Sequence, residues 1–467
     1  MESALTRARA IELAEDHLES GALLRELERK VAYPTESESG ERGDVHRDYL
    51  REEIVPGLER CGFTWRLVDN PVAERPPYLV ARRVEDPALR TVLVYGHGDV
   101  VLGDAERWTA PWSPWRLVVD GDRWYGRGSC DNKGQHAINL AALEQVLRVR
   151  EGRLGFNVTV LMDMGEEIGS PGLREVCTAL AGDELAADVL IASDGTRVAE
   201  TSPTLVLGTR GEVSFTLRAA LRPRGYHSGN WGGLLANPAV LLANALATMV
   251  DARGRILVEG LRPPAIPDPV RAILGTIEID GGPSAPPIEE WGEPGLSAPE
   301  QLYGWNTLEV LGLSAGAATG PQNAIPGTAS ARCQLRFVVG TDHTAVGTTV
   351  RAHLDAHGFE QVVVEVDPEI TAATRLDHDD PWVGWAAASV ERTTGNVPTI
   401  LPNLGGTFPN DCFADVLGIP TIWVPHSYPG CSQHAPDEHL LASLAKEALG
   451  IMAGLFWDLG EAPTPLR

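Results

Sequence analysis

The chain has 467 residues, of which 43% are hydrophobic and 22% charged, the balance of a globular protein long enough for two domains. Its net charge of −25 argues against partners such as nucleic acid or an anionic membrane surface. No apolar run reaches the roughly 20 residues that span a bilayer, and six scattered cysteines without a C-x-x-C indicate neither a zinc knuckle nor a disulfide framework. The first twenty residues read as a charged amphipathic helix, not a signal peptide, which predicts a cytoplasmic protein.

Two helices are predicted over about 3–30 and 45–61, joined by a polar loop with Pro34 and Gly40. Strands follow at Thr64–Val68, Tyr78–Arg83 and Thr91–Tyr95. The third is an apolar, β-branched run suited to burial on both faces. It leads into GHGDVV at 96–101, where two glycines bracket His97 and permit a tight turn. Asp99, two residues on, suggests a ligand paired with the carboxylate that orients it. A turn with a capping Asp and a solvent-facing His is the plainer alternative.

Residues 106–128 carry four tryptophans and a predicted hairpin, Trp115–Val119 against Arg123–Tyr125. The loop 126–134 then places Asp131 at the start of a helix over about 135–150. There a carboxylate also complements the helix dipole. A strand at Asn157–Met164 ends in Glu166-Glu167, and adjacent carboxylates after a buried strand are hard to explain as packing. After a helix at 173–181, the strand Ala187–Ala192 ends in Ser193-Asp194-Gly195. Ligands of open α/β sheets collect outside the carboxyl ends of the strands, so these turns are expected to converge.

Near Leu207 the pattern changes. A strand at Glu212–Ala220, a glycine-rich turn with His227 and a helix from Asn237-Pro238 precede a proline- and glycine-rich insertion at 260–305. Strands at Leu308–Leu313 and Thr328–Val338, a helix at Thr341–His357 and a strand at Gln361–Val366 complete a β-α-β-β-α-β order, the ferredoxin-like pattern. The α/β character returns after Pro381, with helix 381–394, strand Pro398–Leu401, helix 411–416, strand Thr421–Val424 and a last helix over about 440–459. The fold class is therefore α/β. A mainly parallel mixed sheet with helices on both faces makes a catalytic domain over 1–207 and 373–467. An α+β ferredoxin-like lid or dimerisation domain is inserted at 208–372.

The strand ends and adjoining loops offer His97, Asp99, Asp131, Glu166, Glu167, Asp194 and His434. Imidazoles and carboxylates without thiolates suit divalent ions, most simply a zinc pair. So many like charges in one pocket would repel severely unless cations neutralised them, and two divalent ions supply the needed charge.

The motifs GHGDVV at 96–101, WYGRGSCDNKG at 124–134, MGEEIGSPGL at 164–173, ASDGT at 192–196, YHSGNWGGLLANP at 226–238 and SQHAPDE at 432–438 resemble, in order and spacing, the M20 family of metallopeptidases. The closest resemblance is to the cytosolic non-specific dipeptidase and carnosinase branch. It implies two divalent metal ions, zinc with manganese or cobalt as alternatives. His97 and Asp194 would ligate one ion and Glu167 and His434 the other, with Asp131 bridging. Glu166 resembles the general base that takes a proton from the attacking water, and Asp99 the orienter of His97. The resemblance further implies a homodimer in which His227 reaches the partner's active site to stabilise the oxyanion. Arg336 resembles the clamp on the substrate's C-terminal carboxylate, with a plain strand residue as the alternative. Asn323 and Thr407 fall where the family has polar substrate contacts. Asn132 stands where the family has a second Asp, at a position that is not a ligand.

The implied function is hydrolysis of a dipeptide or small peptide-like amide. The alternatives are an amidohydrolase acting on N-acyl or N-carbamoyl amino acids or a xenobiotic amide, and a metal-free binding protein that keeps the fold. Intact ligand positions speak against the last.

Overall fold

The computed structural model describes residues 6–38, 43–279, 287–316 and 323–461. The chain divides into two compact units: Met1–Gly208 with Ile277–Pro286 and Arg375–Arg467, and Thr209–Thr276 with Pro287–Thr374. Gly40 and part of the 260–305 insertion, residues 280–286, lie outside the described residues.

The first unit is built on an eight-stranded mixed sheet. Its strands run in the order Thr64–Val68, Tyr78–Arg83, Asn157–Asp163, Thr91–His97, Val189–Ala192, Thr421–Trp423, Thr204–Val206 and Thr399–Leu401. The middle four are mutually parallel, with His97 in register with Asp163 and Ala192 with Trp423. Every residue of Asn157–Asp163 and Val189–Ala192 is buried, as strands covered on both faces require. The helices Arg7–Glu19, Lys133–Val149 and Ala442–Glu461 share the main core with this sheet through Ala10, Ala14, Ala141, Ala142, Ala445 and Ala448. These small side chains let the helices pack closely.

Local departures from the sequence expectation have physical causes. The helix expected over 3–30 breaks into Arg7–Glu19 and Ala22–Val31, because Gly21 takes a left-handed backbone conformation (φ 72°). The helix expected over 45–61 passes from Gly43–Tyr49 through a wide turn at Leu50–Ile54 into Val55–Arg60. There the Val55 N–H reaches back to the Leu50 carbonyl, one residue beyond the α-helical partner, just before Pro56, which has no N–H to give. The predicted hairpin pairs only over Val118–Asp120 and Arg123–Tyr125, and gains a third strand, His439–Leu441. The last helix accordingly starts at Ala442.

The second unit is a four-stranded antiparallel sheet in the order Thr307–Ala315, Thr328–Phe337, Gly211–Ala220, Val362–Thr371. The helices Pro238–Met249 and Val346–Ala356 pack on one face through Leu242, Met249, Val350 and Leu354. Asn237 caps the first of them by accepting the Ala239 N–H, with Pro238 opening the helix. Two short helices, Asp268–Leu274 and Ala298–Gly304, occupy the described part of the insertion.

Among the described residues no helix is long and apolar enough to cross a membrane. All six cysteines are free and buried.

Candidate metal centre

The carboxyl ends of the four parallel strands carry the candidate ligands. His97 closes its strand. Asp194 lies two residues past Ala192, and Glu166 and Glu167 begin a short 3-10 turn after Asp163. Asp131 comes from the loop that opens the helix Lys133–Val149, and His434 from the long loop after Trp423.

These side chains gather into two groups that share one member. Ligand atoms of His97, Asp131 and Asp194 lie within 4.8 Å of one another, and so do those of Asp131, Glu167 and His434. Asp131 faces both imidazoles, with Oδ1 3.1 Å from His97 Nε2 and Oδ2 2.9 Å from His434 Nε2. Asp194 Oδ2 is 3.7 Å from His97 Nε2, and Glu167 Oε2 is 2.9 Å from His434 Nε2. Glu166 does not belong to either group, but its Oε2 is 3.8 Å from His97 Nε2. One carboxylate with an oxygen turned to each group is the geometry a bridging ligand needs.

Asp99 is fully buried beneath this cluster. Its carbonyl oxygen and Oδ1 lie 3.2 and 3.3 Å from His97 Nδ1, which places a ring hydrogen there and turns Nε2 toward the cluster.

The remaining candidates are members of neither group. Thr407 is half-buried in the loop after Leu401. In the second unit, His227 is exposed and its Nδ1 accepts the Gly229 N–H at 3.1 Å. Asn323 is its neighbour: its carbonyl accepts the Ser228 N–H at 2.8 Å, and His227 pairs with Ala324. Arg336 forms an ion pair with Glu212 at 3.0 Å.

Residues 93–458 match peptidase family M20/M25/M40. The chain belongs to that family. It is 28% identical over 417 residues to Beta-Ala-His dipeptidase of Rattus norvegicus, covering 85% of this chain and 82% of the relative. It is 25% identical over 423 residues to Cys-Gly metallodipeptidase DUG1 of Saccharomyces cerevisiae, covering 85% of each. In structure it is similar to the di-peptidase Dug1p of Saccharomyces cerevisiae (TM-score 0.83, 22% identity, 98% of this chain and 99% of that one). It is likewise similar to human carnosine dipeptidase 1 (TM-score 0.78, 22% identity, 98% and 100%). This M20 peptidase is a hydrolase with the mixed α/β fold of its family.

The electrostatics of the cluster call for cations. Burial, reinforced by Asp194 and Glu167, holds Glu166 well above the usual carboxylate range. Burial and Asp131 push Glu167 up to about 8, and burial pushes Asp194 up to about 6. Burial works against Asp131 too, but hydrogen bonds from His434 and His97 outweigh it and hold that carboxyl far below its ordinary value. The imidazoles respond in kind. Although burial opposes their charge, hydrogen bonds to Asp131 and Glu167 raise His434 to about 11, and those to Asp131 and Asp99 raise His97. Asp194 Oδ2 is buried with no hydrogen-bond donor. An acceptor so placed, among carboxylates and imidazoles without a thiolate, fits hard or borderline divalent ions.

Two residues that sequence reasoning passed over support the cluster. The buried Gln135 donates to the carbonyls of Cys130 (2.9 Å) and Gly195 (3.2 Å) and accepts the His426 N–H at 2.8 Å. It thereby joins the Asp131 loop, the Asp194 loop and the start of the loop that carries His434. Glu438 binds the Asp131 loop from the other side. Neither differs in residue type from an ordinary helix or loop position. Glu438 does lie inside the motif SQHAPDE, which was the one available signal. His136 Nε2 pairs with the Tyr49 hydroxyl, and His426 Nε2 with Ser193 and Asn139.

Proposed function

We propose that this M20 peptidase is a two-metal dipeptidase, and that the observation carrying this is the pair of ligand groups joined by Asp131. His97 and Asp194 would hold one ion, Glu167 and His434 the other, and Asp131 both. Zinc is the ion the donors favour, with manganese or cobalt compatible. When bound, such a pair polarises the scissile carbonyl and lowers the pKa of the attacking water.

The chain's own groups do the rest. Glu166, beside the cluster but outside both ligand groups, takes a proton from the attacking water on its carboxylate and returns it to the leaving amine nitrogen. Asp99 fixes the tautomer and orientation of His97. His227 supplies the donor for the developing oxyanion from the partner of a homodimer, and Arg336 takes the substrate's terminal carboxylate. Asn323 and Thr407 contribute polar contacts. The loop after His227 supports docking into a partner: Trp231 is 43% exposed and Leu234 76%, apolar surface that a lone subunit leaves uncovered. The relatives named as Beta-Ala-His and Cys-Gly dipeptidases support free dipeptides as the substrate class.

The test is a panel of free-amine dipeptides and N-acyl amino acids, with metal analysis of the purified protein. Two zinc equivalents per chain and cleavage confined to free-amine dipeptides are expected. Preference for N-acyl amino acids would transfer the chain to the deacylase reading, and one ion or none would remove the two-metal mechanism.

A further inference from the structure

Glu438 is a buried carboxylate four residues past His434, and it is not a candidate ligand. Its Oε1 accepts the backbone N–H of Cys130 at 3.1 Å and of Asp131 at 3.2 Å, and the Cys130 thiol at 3.3 Å. Its Oε2 accepts from Arg127 Nη1 at 2.8 Å, with both side chains almost fully buried. Its backbone carbonyl accepts the Gly126 N–H at 3.0 Å. One residue of the His434 loop thus holds both ends of the segment 126–131, whose last residue is shared by the two ligand groups. Close by, His434 itself sits in a left-handed backbone conformation (φ 58°), as do Ser432 and Asp437. Asp437 is tied down by the Thr109 N–H and hydroxyl at 2.8 and 2.7 Å. The loop is therefore attached at two adjacent residues just past His434, and Glu438 is the attachment that reaches Asp131.

We propose that Glu438 is a positioning residue of the metal centre. Its carboxylate sets the Asp131 peptide, and with it the placement of the shared ligand relative to His434. This rests on the two-metal reading above. A buried ion pair kept only for packing would need Arg127 and Glu438 but no particular acceptor at the two peptide N–H groups. A positioning role needs that acceptor.

The difference can be tested because an amide cannot serve both sides. In Glu438→Gln, an oxygen turned to Arg127 leaves an NH2 group facing two N–H donors, and the flipped amide faces Arg127 with its NH2. That variant should bind at least one zinc ion ten- to a hundredfold more weakly, the usual scale for groups that hold metal ligands in place. Adding Arg127→Met frees the amide oxygen for the peptide N–H groups, so the double variant should recover most of the loss. Arg127→Met with Glu438→Leu has no acceptor and should not recover. Zinc affinity by chelator competition and thermal unfolding are measured on each protein. Glu438→Gln binding both ions as the wild type does would overturn the proposal, as would equal affinities in the two double variants. If the single variant does not fold, the two double variants, which bury no unpaired charge, decide alone. A wild-type chain that holds fewer than two zinc ions would instead overturn the two-metal reading.

Discussion

Asp99 Oδ2 accepts the backbone N–H of Glu167 at 3.0 Å, and its Oδ1 accepts that of Glu166 at 3.1 Å. The carboxylate that faces His97 Nδ1 therefore also fixes the turn carrying a candidate ligand and the candidate base. Removing it in Asp99→Ala leaves two N–H groups without a partner and the ring Nδ1 with the residue 99 carbonyl alone. We expect metal affinity to fall ten- to a hundredfold, with a stability loss of about 1–3 kcal/mol for each buried group left unpaired. Chelator competition and denaturant unfolding measure the two losses separately. Unchanged metal affinity would reduce Asp99 to a turn cap.

Glu166 is adjacent to the cluster but outside both ligand groups. Glu166→Gln should retain its metal complement and lose about two to four orders of magnitude in kcat, the range for a missing general acid–base. Steady-state kinetics with metal analysis on the same sample gives the answer. A variant that loses metal along with activity would make Glu166 a ligand.

Asp131 belongs to both groups and Asp194 to one. Asp131→Ala should therefore deplete both ions, and Asp194→Ala only the one shared with His97. Titration of each apo-protein with zinc, followed by calorimetry, distinguishes the two patterns. Equal stoichiometries in the two variants would contradict the bridging assignment.

Much of this arrangement was legible in the sequence, because each candidate ligand near the sheet follows a short apolar run. Val92–Tyr95, Asn157–Met164 and Ala187–Ala192 announce buried strands, and the polar residues just after them had to emerge at the same sheet edge. Long-range pairing was not legible. His439–Leu441 joins Arg123–Tyr125 across more than three hundred residues, and no local pattern encodes that register. Glu438 and Gln135 were missed for the same reason. Their importance lies in backbone groups they meet through the fold, at Asp131, Gly195 and His426, not in any neighbouring side-chain pattern.

His426 gives a pH prediction independent of the metal ligands. It is fully buried, with Nε2 2.9 Å from both Ser193 Oγ and Asn139 Oδ1. Burial, aided by the charge of Arg197, pushes its pKa down to about 3. In the unfolded chain it titrates near its ordinary value of about 6.5. As pH falls between those values, the unfolded state takes up a proton that the folded state refuses, so stability declines with a slope approaching about 1.4 kcal/mol per pH unit from this group. Unfolding free energies of wild type and His426→Gln between pH 7 and 4 should converge as pH falls. Parallel curves would show that His426 is accessible to protons in the folded state.

The assignment of His227 to the partner's site is open to subunit complementation. His227→Ala and Glu166→Gln should each be nearly inactive, with metal content unchanged. In a mixed dimer, the His227→Ala chain keeps its own Glu166 and receives an intact His227 from its partner, so one of the two sites is complete. Random reassortment of equal amounts makes half of the dimers mixed, and activity should return to about a quarter of the wild-type level. If His227 serves its own chain, every site in the mixture lacks one of the two groups and no activity returns, so co-refolding the two variants and assaying dipeptide hydrolysis separates the arrangements.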